Sequence, residues 1–213
     1  MIKAFIFDMD GVIIDSEPMH LEIDKMVMKD FGIKIPDEEL NVFVGVTNIQ
    51  MWSELRASHK LKASVEELLE KQNEYKKQMF GRGDLSPING ITELIEDLKD
   101  KGIKIGLASS SSKEFIELVL RNLNIYDEFN IIVGGGDVSN SKPAPDIFLK
   151  AAEFLKVAPE ECMVLEDSSH GVKAAKTAGM KCIAFKNPNS GEQDLSLADL
   201  AVDTLENLNY MDL

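Results

Sequence analysis

Apolar residues along this chain follow two rhythms. Short continuous runs at Lys3–Phe7, Lys104–Ala108, Asn130–Val133, Met163–Glu166 and Lys181–Phe185 read as strands covered on both faces. Between them apolar positions recur at helical spacing. Ile91, Leu94, Ile95 and Leu98 share one helix face, with Gly102 following as a cap; Val172, Ala175 and Ala178 repeat the pattern before Gly179. Strands alternating with helices predict right-handed crossovers, hence an α/β fold with a parallel sheet and helices on both faces.

One stretch breaks the alternation. From about Asp15 to Gly83 the patterns are helical: Met19, Ile23, Met26 and Val27 mark one helix, and residues 49–61 and 65–80 two more. Gly81-Arg82-Gly83 and Ser86-Pro87 read as the return linker. The expected organisation is an α/β core of residues 1–14 and 87–213, with a small all-helical cap, residues 15–86, inserted after the first strand. The cap is expected at the carboxyl edge of the sheet, where open sheets bind ligands. Met51 and Trp52 are assigned to the cap core.

Composition narrows the class without naming a function. The chain has 213 residues, 44% hydrophobic and 28% charged, the profile of a soluble globular protein. Its net charge of −14 argues against nucleic acid or an anionic membrane as the partner. No run approaches the ~18 apolar residues that a membrane span requires. The first apolar run is too short for a signal-peptide core and ends on aspartates, so a cytoplasmic location is expected. The two cysteines, Cys162 and Cys182, read as small buried hydrophobes in a reducing compartment.

Chemistry enters where strands end. Asp8 and Asp10 close the run Phe5-Ile6-Phe7 and project the same way, with Gly11 allowing a sharp turn. Two such carboxylates repel unless a divalent cation or a shared proton lies between them. Ser109 follows the second strand, with Ser110, Ser111 and Ser112 opening a helix, a natural phosphate seat. Lys142 stands in Ser-Lys-Pro-Ala-Pro-Asp, whose prolines stiffen the backbone before the next helix. Glu166 and Asp167 end the strand Met163-Val164-Leu165, and Ser168 is expected to cap a helix. Together these supply a carboxylate cage for a hard cation and donors for an oxyanion.

The ordered set Asp8-Met-Asp10-Gly-Val, Ser109, Lys142-Pro and Glu166-Asp167 resembles the haloacid dehalogenase-like superfamily over nearly the whole chain. The helical insert, Asp15-Ser16-Glu17-Pro18 and Lys142-Pro-Ala-Pro-Asp146 are similar to the subgroup containing β-phosphoglucomutase and small sugar-phosphate phosphatases. The resemblance implies a Rossmann-like core and a Mg²⁺-dependent reaction. Asp8 would be the nucleophile that becomes an aspartyl phosphate, and Asp10 the acid and base. Mg²⁺ would be held by the Asp8 carboxylate, the Asp10 backbone carbonyl and Asp167, with Glu166 in support. Ser109 and Lys142 would hold the transferring phosphoryl oxygens, with Ser110 and Ser111 beside the substrate. Asp10 selects phosphate esters within the superfamily, because an alkoxide leaving group needs a proton and a halide does not.

A mutase needs a cationic seat for a second phosphate. The β-phosphoglucomutase cap loop is similar to Lys-Gly-Val-Ser-Arg, whereas this chain has Val44-Gly45-Val46-Thr47-Asn48, with neither cation. Asn48 cannot replace a guanidinium fork, so a phosphatase is favoured over a mutase. Gly45, Thr47, Asn48 and, near the start of the insert, His20 are the candidate substrate contacts in the cap. Lys76 and Lys77 read as solvated, His59 as surface, and His170 as bordering the cleft. An EF-hand is rejected because Gly11 is the fourth position of its run, not the sixth. Gly134-Gly135-Gly136-Asp137 lacks the Gly-Lys-Ser/Thr ending of a nucleotide loop and reads as a strand-end turn. A receiver-like phosphoacceptor uses similar residues but is shorter and has no insert. The expected partner is a small phosphorylated metabolite, and the expected state is a monomer or weak homodimer.

Overall fold

The computed structural model describes residues 1–43, 46–83 and 85–210. The chain divides into two compact units, Met1–Asp15 with Asp84–Leu213, and Ser16–Gly83.

The larger unit carries six strands: β1 Ala4–Phe7, β2 Lys104–Ala108, β3 Ile131–Val133, β4 Cys162–Glu166, β5 Lys181–Phe185 and β6 Leu200–Val202. They form one sheet in the order β3-β2-β1-β4-β5-β6, every pairing parallel. The α/β expectation is borne out, because parallel strands need crossovers and the helices supply them. In the full chain order α1 Glu17–Asp30, α2 Asp37–Asn41, α3 Asn48–Ser58 and α4 Val65–Phe80 precede α5 Ile91–Asp100, α6 Lys113–Asn122, α7 Asp146–Leu155 and α8 Ser169–Thr177.

Alternation along the strands builds two cores. Ala4 and Ile6 of β1, Cys162 and Val164 of β4, and Cys182 and Ala184 of β5 face the apolar sides of α7 and α8, including Phe148, Ala151, Val172 and Ala175. Phe5 and Phe7 point the other way, their rings 5.5 Å from Tyr210 and 6.1 Å from Phe129 respectively. Both cysteines are free. Burial pushes their thiols up, Cys162 to about 11, which disfavours the thiolate at neutral pH.

β6 escapes the sequence reading. It has three residues, pairs among the described residues with β5 alone, and shows too little alternation to be seen. Asn130, expected to begin β3, instead lies just before it and uses its side-chain oxygen to accept the Ile105 N–H at 2.7 Å.

In the helical unit, Val27, Met28, Leu40, Met51, Trp52, Leu55 and Leu68 form one buried cluster, so Met51 and Trp52 are core residues. α4 starts on a capping box in which the Glu67 N–H reaches Ser64 Oγ and the Ser64 N–H reaches Glu67 Oε2. α3 stops at Ser58, short of the expected Leu61, because Lys60 turns left-handed at φ 53°. α2 is too short to leave a periodic signature. His59 is half-buried rather than fully exposed, its ring 2.5 Å from Glu39 Oε1.

Candidate active site

Strand order reverses at β1, which lies between β2 and β4, and the space past its carboxyl end is where such sheets bind ligands. Asp8 is the first residue there. Its N–H continues the sheet pattern to the Leu165 carbonyl at 3.0 Å, and its side chain is buried. The chain then folds back, with the N–H groups of Val12, Ile13 and Ile14 all directed at the Met9 carbonyl. Gly11 makes the turn at φ +76°, and a Cβ there would stand 1.9 Å from Asp167 Oδ2. Only glycine satisfies both demands.

Lys142 comes from nine residues beyond β3, on the approach to α7, rather than from the strand end itself. Its ammonium lies 2.5 Å from Asp8 Oδ1 and 2.7 Å from Glu166 Oε1, with both carboxylates and the lysine side chain almost wholly buried. Burial pulls the lysine pKa down, but the Asp8 and Glu166 charges outweigh it and hold the ammonium above its ordinary value. Burial also raises Asp8 well above the usual carboxylate range; Lys142 opposes the rise, while Glu166, Asp167 and Asp10 add to it. Asp167 is pushed up to about 8, first by burial and then by Glu166.

Glu166 is an anchor. Its Oε2 accepts the N–H groups of Asp167 and Ser168, each at 2.8 Å, and the Ser168 hydroxyl at 2.9 Å. Ser168 also caps α8, accepting the Gly171 N–H at 3.0 Å. Ser109 is buried at the end of β2, its N–H on the Val133 carbonyl and its hydroxyl accepting the Ser111 N–H at 3.1 Å. The Ser111 hydroxyl donates to Asp10 Oδ2 at 3.1 Å, and Ser110 is exposed. Asp8, Asp10, Ser109, Ser111, Lys142, Glu166 and Asp167 thus converge on one sheet edge.

The remaining sequence candidates lie in the helical unit, apart from His170 on α8. His20 sits on α1 with its ring 5.5 Å from that of Phe80. Thr47 caps α3 through the Gln50 N–H, Asn48 is exposed as the first residue of that helix, and Gly45 lies outside the described residues. His170 is exposed on α8.

A segment unnoticed in the sequence also reaches the site. After β5, the Asn187 side-chain amide donates to the Gly11 carbonyl at 3.0 Å, Asn189 Nδ2 donates to Asp15 Oδ2 at 2.6 Å, and the Ser190 hydroxyl donates to Asp167 Oδ2. Its only sequence signal was position, Asn187-Pro188-Asn189-Ser190-Gly191 following a strand at the same edge. Ligand oxygens of Asp8, Glu166 and Asp167 lie within 4.8 Å of one another, a hard-donor set suited to a divalent cation. A cavity of about 430 Å³ adjoins Asp167.

The family described as haloacid dehalogenase-like hydrolase matches residues 5–185. The chain belongs to this family. A phosphorylated carbohydrates phosphatase of Thermotoga maritima is 36% identical over 182 residues, covering 85% of this chain and 84% of that protein. A β-phosphoglucomutase of Bacillus subtilis is 34% identical over 187 residues, covering 84% and 81%. The crystal structure of CbbY from Rhodobacter sphaeroides in complex with phosphate superposes with a TM-score of 0.86 at 26% identity, covering 97% of this chain and 96% of that one. This haloacid dehalogenase-like enzyme is a phosphoric monoester hydrolase. No helix among the described residues is long and apolar enough to cross a membrane.

Proposed function

We propose that the enzyme is a Mg²⁺-dependent phosphatase of a small phosphorylated carbohydrate, acting through an aspartyl phosphate on Asp8. The observation that carries the reading is the buried Asp8 carboxylate at the sheet switch point, paired with Lys142 at 2.5 Å and followed two residues later by Asp10.

An Asp8 oxygen attacks phosphorus as the ester P–O bond breaks. Asp10 gives its proton to the departing alkoxide. Water then attacks the same phosphorus and yields a proton to Asp10, and the Asp8–phosphorus bond breaks to release inorganic phosphate. Lys142 offsets charge on the transferring oxygens, and Ser109 with the N–H groups opening α6 offers donors to them. This division suits phosphoryl transfer, where positioning and charge neutralisation dominate. Asp8 and Asp167, with the Asp10 carbonyl and Glu166 beside them, would hold Mg²⁺, which neutralises the repulsion between an anionic nucleophile and an anionic ester.

Hydrolysis is favoured over mutase chemistry by the sequence at Val44 and Asn48, which stand where the β-phosphoglucomutase pattern has its lysine and arginine. The likeness to a carbohydrate phosphatase supports the substrate class. The test is phosphate release from a panel of phosphorylated sugars with Mg²⁺, run beside conversion of β-glucose 1-phosphate to glucose 6-phosphate. Release without isomerisation is expected; efficient isomerisation on addition of a sugar bisphosphate would reverse the choice.

A further inference from the structure

Three serines in a row after β2 have separate tasks. Ser109 is buried and receives the Ser111 N–H, Ser110 faces solvent, and Ser111 sends its hydroxyl to Asp10 Oδ2, 101 residues away in sequence. The Ser111 carbonyl is occupied as well, accepting the Gly135 N–H at 2.9 Å. Gly135 presses so closely on this turn that a Cβ there would stand 2.3 Å from the Ser110 carbonyl oxygen. At Gly134 a Cβ would stand 3.0 Å from the Lys113 nitrogen. The glycine-rich turn after β3, which matches no nucleotide motif, is therefore a buttress for the serine turn. Ser111 is held at its N–H, its carbonyl and its hydroxyl.

We propose that Ser111 is a positioning residue for Asp10, its hydroxyl holding Oδ2 so that Oδ1 exchanges the proton, with the Gly134–Asp137 turn keeping Ser111 in place. The inference rests on the reading of Asp10 as acid and base. The terminal torsion of an aspartate is soft, and the Ser111 bond to Oδ2 restricts it in this half-buried carboxyl. Proton transfer needs heavy atoms within about 2.6–3.2 Å, so lost aim is lost rate. In the first step the Asp8 oxygen–phosphorus bond forms while the ester P–O bond breaks. The electron pair of the broken bond stays on the ester oxygen, which takes the proton from Asp10 Oδ1 and leaves as an alcohol. Asp10 remains as a carboxylate with Ser111 still donating to Oδ2.

Leaving-group dependence tests this directly. An alkyl phosphate needs the proton, whereas p-nitrophenyl phosphate releases a stable anion without it. kcat/KM reports on events through ester cleavage, so the later hydrolysis of the aspartyl phosphate does not obscure the comparison. For S111A, kcat/KM on the best sugar phosphate of the panel is expected to fall roughly 10–100-fold, and on p-nitrophenyl phosphate less than about threefold. S111T should restore most of the loss. G135A, which crowds the turn without touching either side chain, should lower the alkyl-to-aryl ratio in the same direction. Equal losses on both esters, or no loss on the sugar phosphate, overturn the proposal. D10N measured alongside separates the two readings: a selective alkyl loss in D10N without one in S111A removes the positioning role alone. No selectivity in D10N removes the acid role and the proposal with it.

Discussion

Asp24 and Asp8 are both buried aspartates with different companions. Asp24, on α1, accepts from Gln72 Nε2 at 2.6 Å and has its pKa raised to about 6, chiefly by burial, with the Gln72 bond pulling the other way. The folded chain therefore binds more protons than the unfolded chain between about pH 4 and 6, and Asp24 lowers stability as pH rises through that window. D24N keeps the acceptor for Gln72 and removes the titration. Relative to D24N, the wild type is expected to lose about 2 kcal/mol between pH 4 and 7, read from denaturant curves. Parallel curves would refute this. Asp8 instead has Lys142, and removing that partner by K142M leaves Asp8 and Glu166 facing each other without it. In metal-free buffer K142M should unfold about 3–5 kcal/mol more easily, the cost of breaking a buried ion pair. D8N, nearly isosteric, should stay folded by circular dichroism while kcat/KM falls at least ~10³-fold; residual activity near wild type would remove Asp8 as nucleophile.

At the scale of elements, the turn after β1 shows what local sequence reveals and conceals. Gly11 following Asp10 at a strand end was legible as a sharp turn, because glycine alone reaches φ +76° without strain. That its missing Cβ makes room for Asp167 was not legible, since the two residues meet only when β1 and β4 pair. G11A should cost at least about 1–2 kcal/mol from backbone conformation alone. It should also weaken Mg²⁺ binding measured by calorimetry, because Asp167 must move. Mg²⁺ affinity equal to wild type would show that Asp167 is not needed where it stands. The loop after β5 was silent for the same reason: Asn187 meets its acceptor on Gly11 176 residues away. β6 is edge-bound and three residues long, below the length at which alternation can speak.

At the scale of the whole molecule, metal, fold and charge meet. A cation that binds only the folded chain stabilises it by mass action, about 2.7 kcal/mol at a hundred times Kd. Mg²⁺ should therefore raise Tm, and the increase should vanish in D167N; an equal rise in D167N would place the cation elsewhere. Sequence alone determined the alternation of strand and helix, and it put forward a helical insert after the first strand and Asp8, Asp10, Ser109, Lys142, Glu166 and Asp167 as candidates. Those features are local: hydrophobic period, strand-end position and side-chain chemistry act over a few residues. The tertiary structure decided the pairing of Lys142 with both Asp8 and Glu166, the anchoring of Glu166 by the start of α8, and the directing of Ser111 to Asp10. It also brought the loop after β5 onto Gly11 and Asp167. Apart from the anchoring of Glu166, which is local, these join segments far apart in the chain, and only the parallel register of the sheet brings such segments to one edge.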